Sequence, residues 1–161
     1  MTKRFVIVVI LGLLLNFSTW ASMISIFVVE TGLSNNRTES PHSVQWENAF
    51  LDVFFDSGYI VSNAPILRLD KKPESENGLL GEVSLDLQDA RRAGIDYILI
   101  TILDFSGELQ FPGKISFYIY NLNTEERIIE REIAGKTYRS TGEEFEDLKS
   151  IARGFVPFFG Q

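Results

Sequence analysis

The chain holds no cysteine and a single histidine, His42, which follows Pro41. The missing thiols exclude a cysteine nucleophile, a zinc–thiolate centre, disulfides and a lipid-modified N-terminal cysteine. One histidine cannot supply a multi-histidine metal site. Carboxylate chemistry is what remains. Asp104 and Glu108 flank the end of a long apolar run, and two carboxyls across a scissile bond are the equipment of a glycoside hydrolase. Both stand in a connection where solvated carboxylates are ordinary. Gly78, Gly81 and Gly94 lack the spacing of a phosphate-cradling loop. The acids Glu143, Glu144, Glu146 and Asp147 suit the positive end of a helix better than a metal. The residues therefore lead to no catalytic group, no metal and no cofactor.

The elements that would position such groups are organised around Ala93–Asp104. Ile98, Ile100 and Ile102 alternate with Tyr97, Leu99, Thr101 and Leu103. Both sets are mostly apolar, so the strand is covered on both faces and stands at the centre of a layered α/β domain. A short helix ending in Arg91-Arg92 precedes it and stops at Gly94.

At 161 residues the chain suits one domain, large enough to bury its own core. Its formal net charge of −7 argues against a nucleic-acid partner, which calls for a basic surface. Lys3-Arg4 precede an apolar run, Phe5–Leu15, and small residues stand at Thr19 and Ala21. This is the layout of a secretory signal peptide over residues 1–21, cut between Ala21 and Ser22. The run is too short to span a bilayer comfortably. The alternative is an uncleaved anchor in the inner membrane. Removing Lys3 and Arg4 takes the charge from −7 to −9, so the expectation is an acidic periplasmic protein with no stable membrane insertion after cleavage.

Residues 22–161 then read as one domain. Ile24–Glu30 is a β-branched strand, and Thr31–Ser43 is a polar loop. Asn36-Arg37-Thr38 has the form of a glycosylation acceptor, a coincidence beside a leader of bacterial character. Ser43 should cap a helix running to about Asp56, with Trp46, Phe50, Val53 and Phe54 as its buried stripe. Tyr59–Ser62 is a strand. Residues 63–81 form a long mobile connection. Ser84 should cap a second helix with Leu85, Leu87 and Ala90 inward. Lys114–Asn121 and Arg127–Tyr138 are further strands, the last an edge protected by Glu130, Arg131 and Glu132. Ser140 and Thr141, with Glu143 and Glu144, offer capping boxes for a final helix that buries Phe145, Leu148, Ala152 and Phe155.

The order is β-α-β-α-β-β-β-α: an α/β, mixed α+β domain with a single five-stranded mixed sheet ordered 2-1-3-4-5 and helices on both faces. The strand Ile24–Glu30, the stretch Gly58-Tyr59-Ile60-Val61, the segment Ala93–Ile100 and the turn Asn121–Glu126 together resemble the amino-terminal domain of TolB. The same module occurs in lipoprotein activators of penicillin-binding proteins and in curli-secretion lipoproteins. Glu125-Glu126 stands where that family's turn usually has glycine, and there is no lipidated cysteine to carry over. The resemblance implies a non-catalytic module that assists a cell-envelope assembly, such as a secretion, flagellar or wall-synthesis complex, with another envelope protein as partner. A periplasmic small-ligand binder and the carboxylate hydrolase are the alternatives. Partner contacts are expected where large apolar groups lack a core role: Phe105, Leu109 and Phe111 in the connection after the central strand, and Phe155, Phe158 and Phe159 in the tail.

Overall fold

The computed structural model describes residues 21–33, 40–106 and 110–159. The leader over 1–20, the Asn36 acceptor motif, Glu108 and Leu109 lie outside them. The strands are β1 (Met23–Thr31), β2 (Ile60–Asn63), β3 (Leu67–Leu69), β4 (Tyr97–Asp104), β5 (Lys114–Asn121) and β6 (Glu126–Ala134). The helices are α1 (Pro41–Asp56), α2 (Glu76–Glu82), α3 (Ser84–Arg92) and α4 (Thr141–Arg153), with a 3-10 turn at Val156–Phe158. Among the described residues no helix is long and apolar enough to cross a membrane.

The sheet runs β2-β1-β4-β5-β6, parallel from β2 to β4 and antiparallel beyond. That is the expected order, with one correction. The sheet has six strands, because β3 also pairs with β1, through Val29–Thr31. β3 and α2 both lie in the stretch expected to be a loop. Three residues are too few to print an alternation among prolines and lysines, and β1 supplies the hydrogen bonds that order them.

β4 is buried on both faces, as its pattern requires. Tyr97, Leu99 and Leu103 join Ile24, Ile26 and Val28 of β1 in a core with α1 and α4. Ile98, Ile100 and Ile102 join Phe27, Val29, Leu79, Val83 and Ala90 in a second core with α2 and α3. Between β3 and the start of α2, residues 70–76 are tied over the sheet. Lys72 Nζ donates to Ser116 Oγ at 2.8 Å, and Glu76 accepts from Tyr120 and Arg127 at 2.9 and 2.8 Å. Burial and the bond to Glu76 together raise the Tyr120 phenol above its ordinary pKa.

Helix starts depart from expectation. α1 is capped by Ser40, whose Oγ accepts from His42 N at 3.3 Å, with Pro41 in the first turn. Ser43 instead turns inward and is fully buried. Trp46, Phe50, Val53 and Phe54 make the buried stripe. α3 follows α2 directly through Val83, with no side-chain cap at Ser84. Val83 takes the core position, so Leu85, expected inward, is 74% exposed. α4 is capped by Ser140, which accepts from Glu143 N at 3.2 Å, while the Glu143 carboxylate accepts from Arg139 N. Leu148, Ala152 and Phe155 are buried, and Phe145 packs against them.

The β5–β6 turn is built by Asn121, whose Oδ1 accepts from Asn123 N at 2.9 Å and Thr124 N at 3.2 Å. It holds Glu125 at φ +60, the one non-glycine with positive φ among the described residues. Glu125→Gly should raise stability by up to ~1 kcal/mol by removing that backbone cost. Glycine's extra freedom in the unfolded chain and the lost Arg91–Glu125 pair return part of the gain. A denaturant titration showing a clear loss of stability would refute this account of the turn.

Candidate functional site

The carboxyl ends of the parallel strands, where open α/β sheets bind what they bind, converge on one end of the molecule. Thr31 of β1 pairs with Asp104 of β4, Asp104 with Lys114 of β5, and Lys114 with Ala134 of β6. The start of α1, the connection from β4 to β5 and the linker into α4 therefore lie side by side. Backbone contacts fix the rim. Gly113 N donates to Asp104 O at 2.8 Å, and Gly135 N to Gly113 O at 2.9 Å. A Cβ on Gly135 would fall 1.6 Å from the Pro112 carbonyl oxygen, so this approach admits glycine alone. Below the rim Glu30, buried at the end of β1, accepts from Ser40 N and Arg68 Nε, both at 2.9 Å.

His42 stands in this end, at the start of α1. Its Nδ1 lies 2.8 and 2.9 Å from the two oxygens of Glu144, which is 1% exposed. A protonated ring would make this a charge-assisted pair. Phe111 lies on the imidazole with ring centroids 4.3 Å apart, and meets Tyr138 edge-on at 5.9 Å. The Tyr138 hydroxyl donates to Asp147 at 2.8 Å, and Lys136 Nζ reaches both Asp147 oxygens at 2.9 Å. Burial and the bond to Asp147 raise the Tyr138 phenol. Burial works against the Asp147 carboxylate, but the bonds from Lys136 and Tyr138 outweigh it and hold its pKa below the usual aspartate value. Phe111, partly exposed, is thus held from behind by partners that are themselves tethered. Before it opens a cleft of about 660 Å³, lined by Gln110–Gly113 on one side and Gly135–Thr137 on the other.

Among the described residues, this geometry places the Phe111 ring at the mouth of the cleft, held by His42 and Tyr138. Asp104 is taken up in a turn, its Oδ1 accepting from Ser106 N at 2.9 Å. Among the described residues no cluster of three or more His, Asp or Glu is placed to hold a metal. The His42–Glu144 pair escaped sequence reasoning, because the partners are 102 positions apart. Glu144, expected as a capping residue, is buried as the histidine's partner.

The apolar groups expected at an interface divide. Phe105, Phe155 and Phe159 are core, which corrects the expectation for those three. Phe155 packs on Phe117 at 4.8 Å and on Phe50 at 6.0 Å. Phe159 wedges between Phe54 at 5.0 Å and Tyr97 at 5.6 Å. Their rings fill space the sheet and α1 leave open, so they are not free for a partner. Phe111 and Phe158 remain partly exposed.

A protein-family model described as "Uncharacterised protein" matches residues 28–141. No curated protein sequence matches the chain. Among solved structures, the PelC dodecamer from Paraburkholderia phytofirmans shares the fold, at 13% identity and a TM-score of 0.52 over 88% of this chain and 89% of that one. Weaker matches include TolB from Acinetobacter baumannii (11% identity, TM-score 0.47, 87% of this chain and 28% of that one). Another is the C-terminal domain of LpoB from Escherichia coli (13%, 0.44, 73% and 84%).

Proposed function

The chain belongs to that family, and from its fold and cleft we propose that it is a non-catalytic, exported module that docks another cell-envelope protein. The observation that carries the reading is Phe111. It is a partly exposed aromatic, fixed by His42 and Tyr138, at the mouth of an open cleft. A pre-organised aromatic of this kind is the usual energetic centre of a protein interface. The envelope setting rests on residues 1–21, read as a leader removed after Ala21, and on the resemblance to the TolB amino-terminal domain. PelC, which shares the fold, is described as a dodecamer, a use of this architecture in assembly. A small-molecule binder calls for an enclosed apolar pocket, whereas this cleft is open.

Phe111→Ser tests the reading. The variant should still melt cooperatively, losing only ~1–2 kcal/mol because the ring is partly exposed. Crosslinking in intact cells followed by mass spectrometry should recover the partner at least ten-fold less well. A variant that unfolds would make the ring structural, and an unchanged set of crosslinks would place the interface elsewhere.

A further inference from the structure

The opposite end of the molecule carries a second surface. Met23 of β1 pairs with Ile60 of β2, Ile24 with Tyr97 of β4, Tyr97 with Asn121 of β5, and Asn121 with Glu126 of β6. These residues mark the end where α1 and α4 also finish, since both helices start at the Thr31 end. Here Phe55, in the last turn of α1, is 69% exposed, and Ile60 is 51% exposed. The 3-10 turn Val156–Phe158 lies at the same end, fixed by the Tyr59 hydroxyl, which donates to Val156 O at 3.4 Å and Phe159 O at 3.2 Å. Pro157 is exposed and Phe158 partly so.

What meets this face follows from where the chain enters it. Ile60 N donates to Ser22 O at 3.1 Å, so residues 1–21 join the fold beside Ile60. Leu15, the last residue of the apolar run Phe5–Leu15, stands seven positions before Ser22. Seven residues reach at most about 25 Å. Wherever that run lies in a membrane during export, Ser22 and the end of the fold beside it stay within that reach of the bilayer. Charge here is mixed: Arg91 is paired with Glu125 and Arg92 with Asp89, while Asp56 beside Phe55 is exposed.

We propose that this end is a lipid-contacting surface, with Phe55, Ile60 and the Val156–Phe158 turn resting in the interfacial layer of a bilayer. Aromatic and aliphatic groups presented together bind such a layer reversibly, in proportion to the apolar area they bury. The contact belongs to the folded domain's own side chains, so it survives removal of the leader. It is independent of the Phe111 cleft, at the other end of the strands.

The test uses the protein as cells export it and vesicles of phosphatidylethanolamine with phosphatidylglycerol, with phosphatidylcholine vesicles as a second set. Wild type should co-sediment with both and stay bound at high salt. The double variant Phe55→Ser, Ile60→Ser should keep its melting temperature and bind at least ten-fold less. Because the chain has no cysteine, Phe55→Cys and Gln110→Cys can each carry a single environment-sensitive dye. Vesicles should shift the dye at 55 to the blue and leave the dye at 110 unchanged. No binding by wild type, equal binding by the double variant, or equal shifts at both positions would overturn the proposal. So would a shift at 55 that appears without vesicles alongside dimers in sedimentation velocity, since the face would then join two copies.

Discussion

Replacing Ile100 with aspartate should leave the chain unable to fold. Ile100 is fully buried in the middle of β4, beside Phe27 of β1 and Tyr118 of β5, under the α2–α3 layer. Its neighbours in that core include Phe27, Val29, Ile98 and Ile102, all apolar. An unpaired carboxylate there costs several kcal/mol even if it protonates, against a total stability of roughly 5–15 kcal/mol for a typical domain. Circular dichroism should show a chain without a cooperative melt. Ile100→Val, which keeps the shape, should cost only about 0.5–1.5 kcal/mol. If the aspartate variant melts within a few degrees of wild type, the second face of the sheet is not covered as described.

Phe155→Ala should cost about 3–5 kcal/mol, as expected of a large ring lost from a packed interior. Its ring touches Phe117 and Phe50, and Arg131 lies over it at 5.8 Å from the centroid. Truncation after Gly154 should cost more, because it also removes Phe159 from between Phe54 and Tyr97. Urea titration measures both. A truncated chain with the wild-type midpoint would put the tail outside the core and return it to the list of possible contact surfaces.

The parts of the fold that were legible share a cause. β1 and β4 are buried on both faces, so continuous apolar runs mark them, and β5 and α1 show their own periods. What failed to show lacked either length or locality. β3 has too few residues to alternate, and it owes its order to β1. The α1 start is hard to place from sequence because Ser40, Pro41 and Ser43 all suit the same turn, and only the fold shows that Ser40 caps while Ser43 is buried. The tail aromatics could not be sorted by composition, since a core ring and an interface ring read alike. Of the proposed contact residues, Phe111 was legible as an exposed aromatic, while the His42–Glu144 pair behind it depends wholly on the tertiary fold.

The free edge of the sheet, β6, carries a further consequence. Two copies meeting edge to edge in a twofold antiparallel ribbon must match residues that point to the same side. In the registers centred on Glu130, Arg131 or Glu132, a glutamate faces a glutamate: Glu130 with itself, Glu130 with Glu132, or Glu132 with itself. Growth of the sheet by self-addition is thus opposed in three neighbouring registers rather than in one. An uncovered edge of this kind lowers the tendency of neighbouring copies to join sheet to sheet at high concentration.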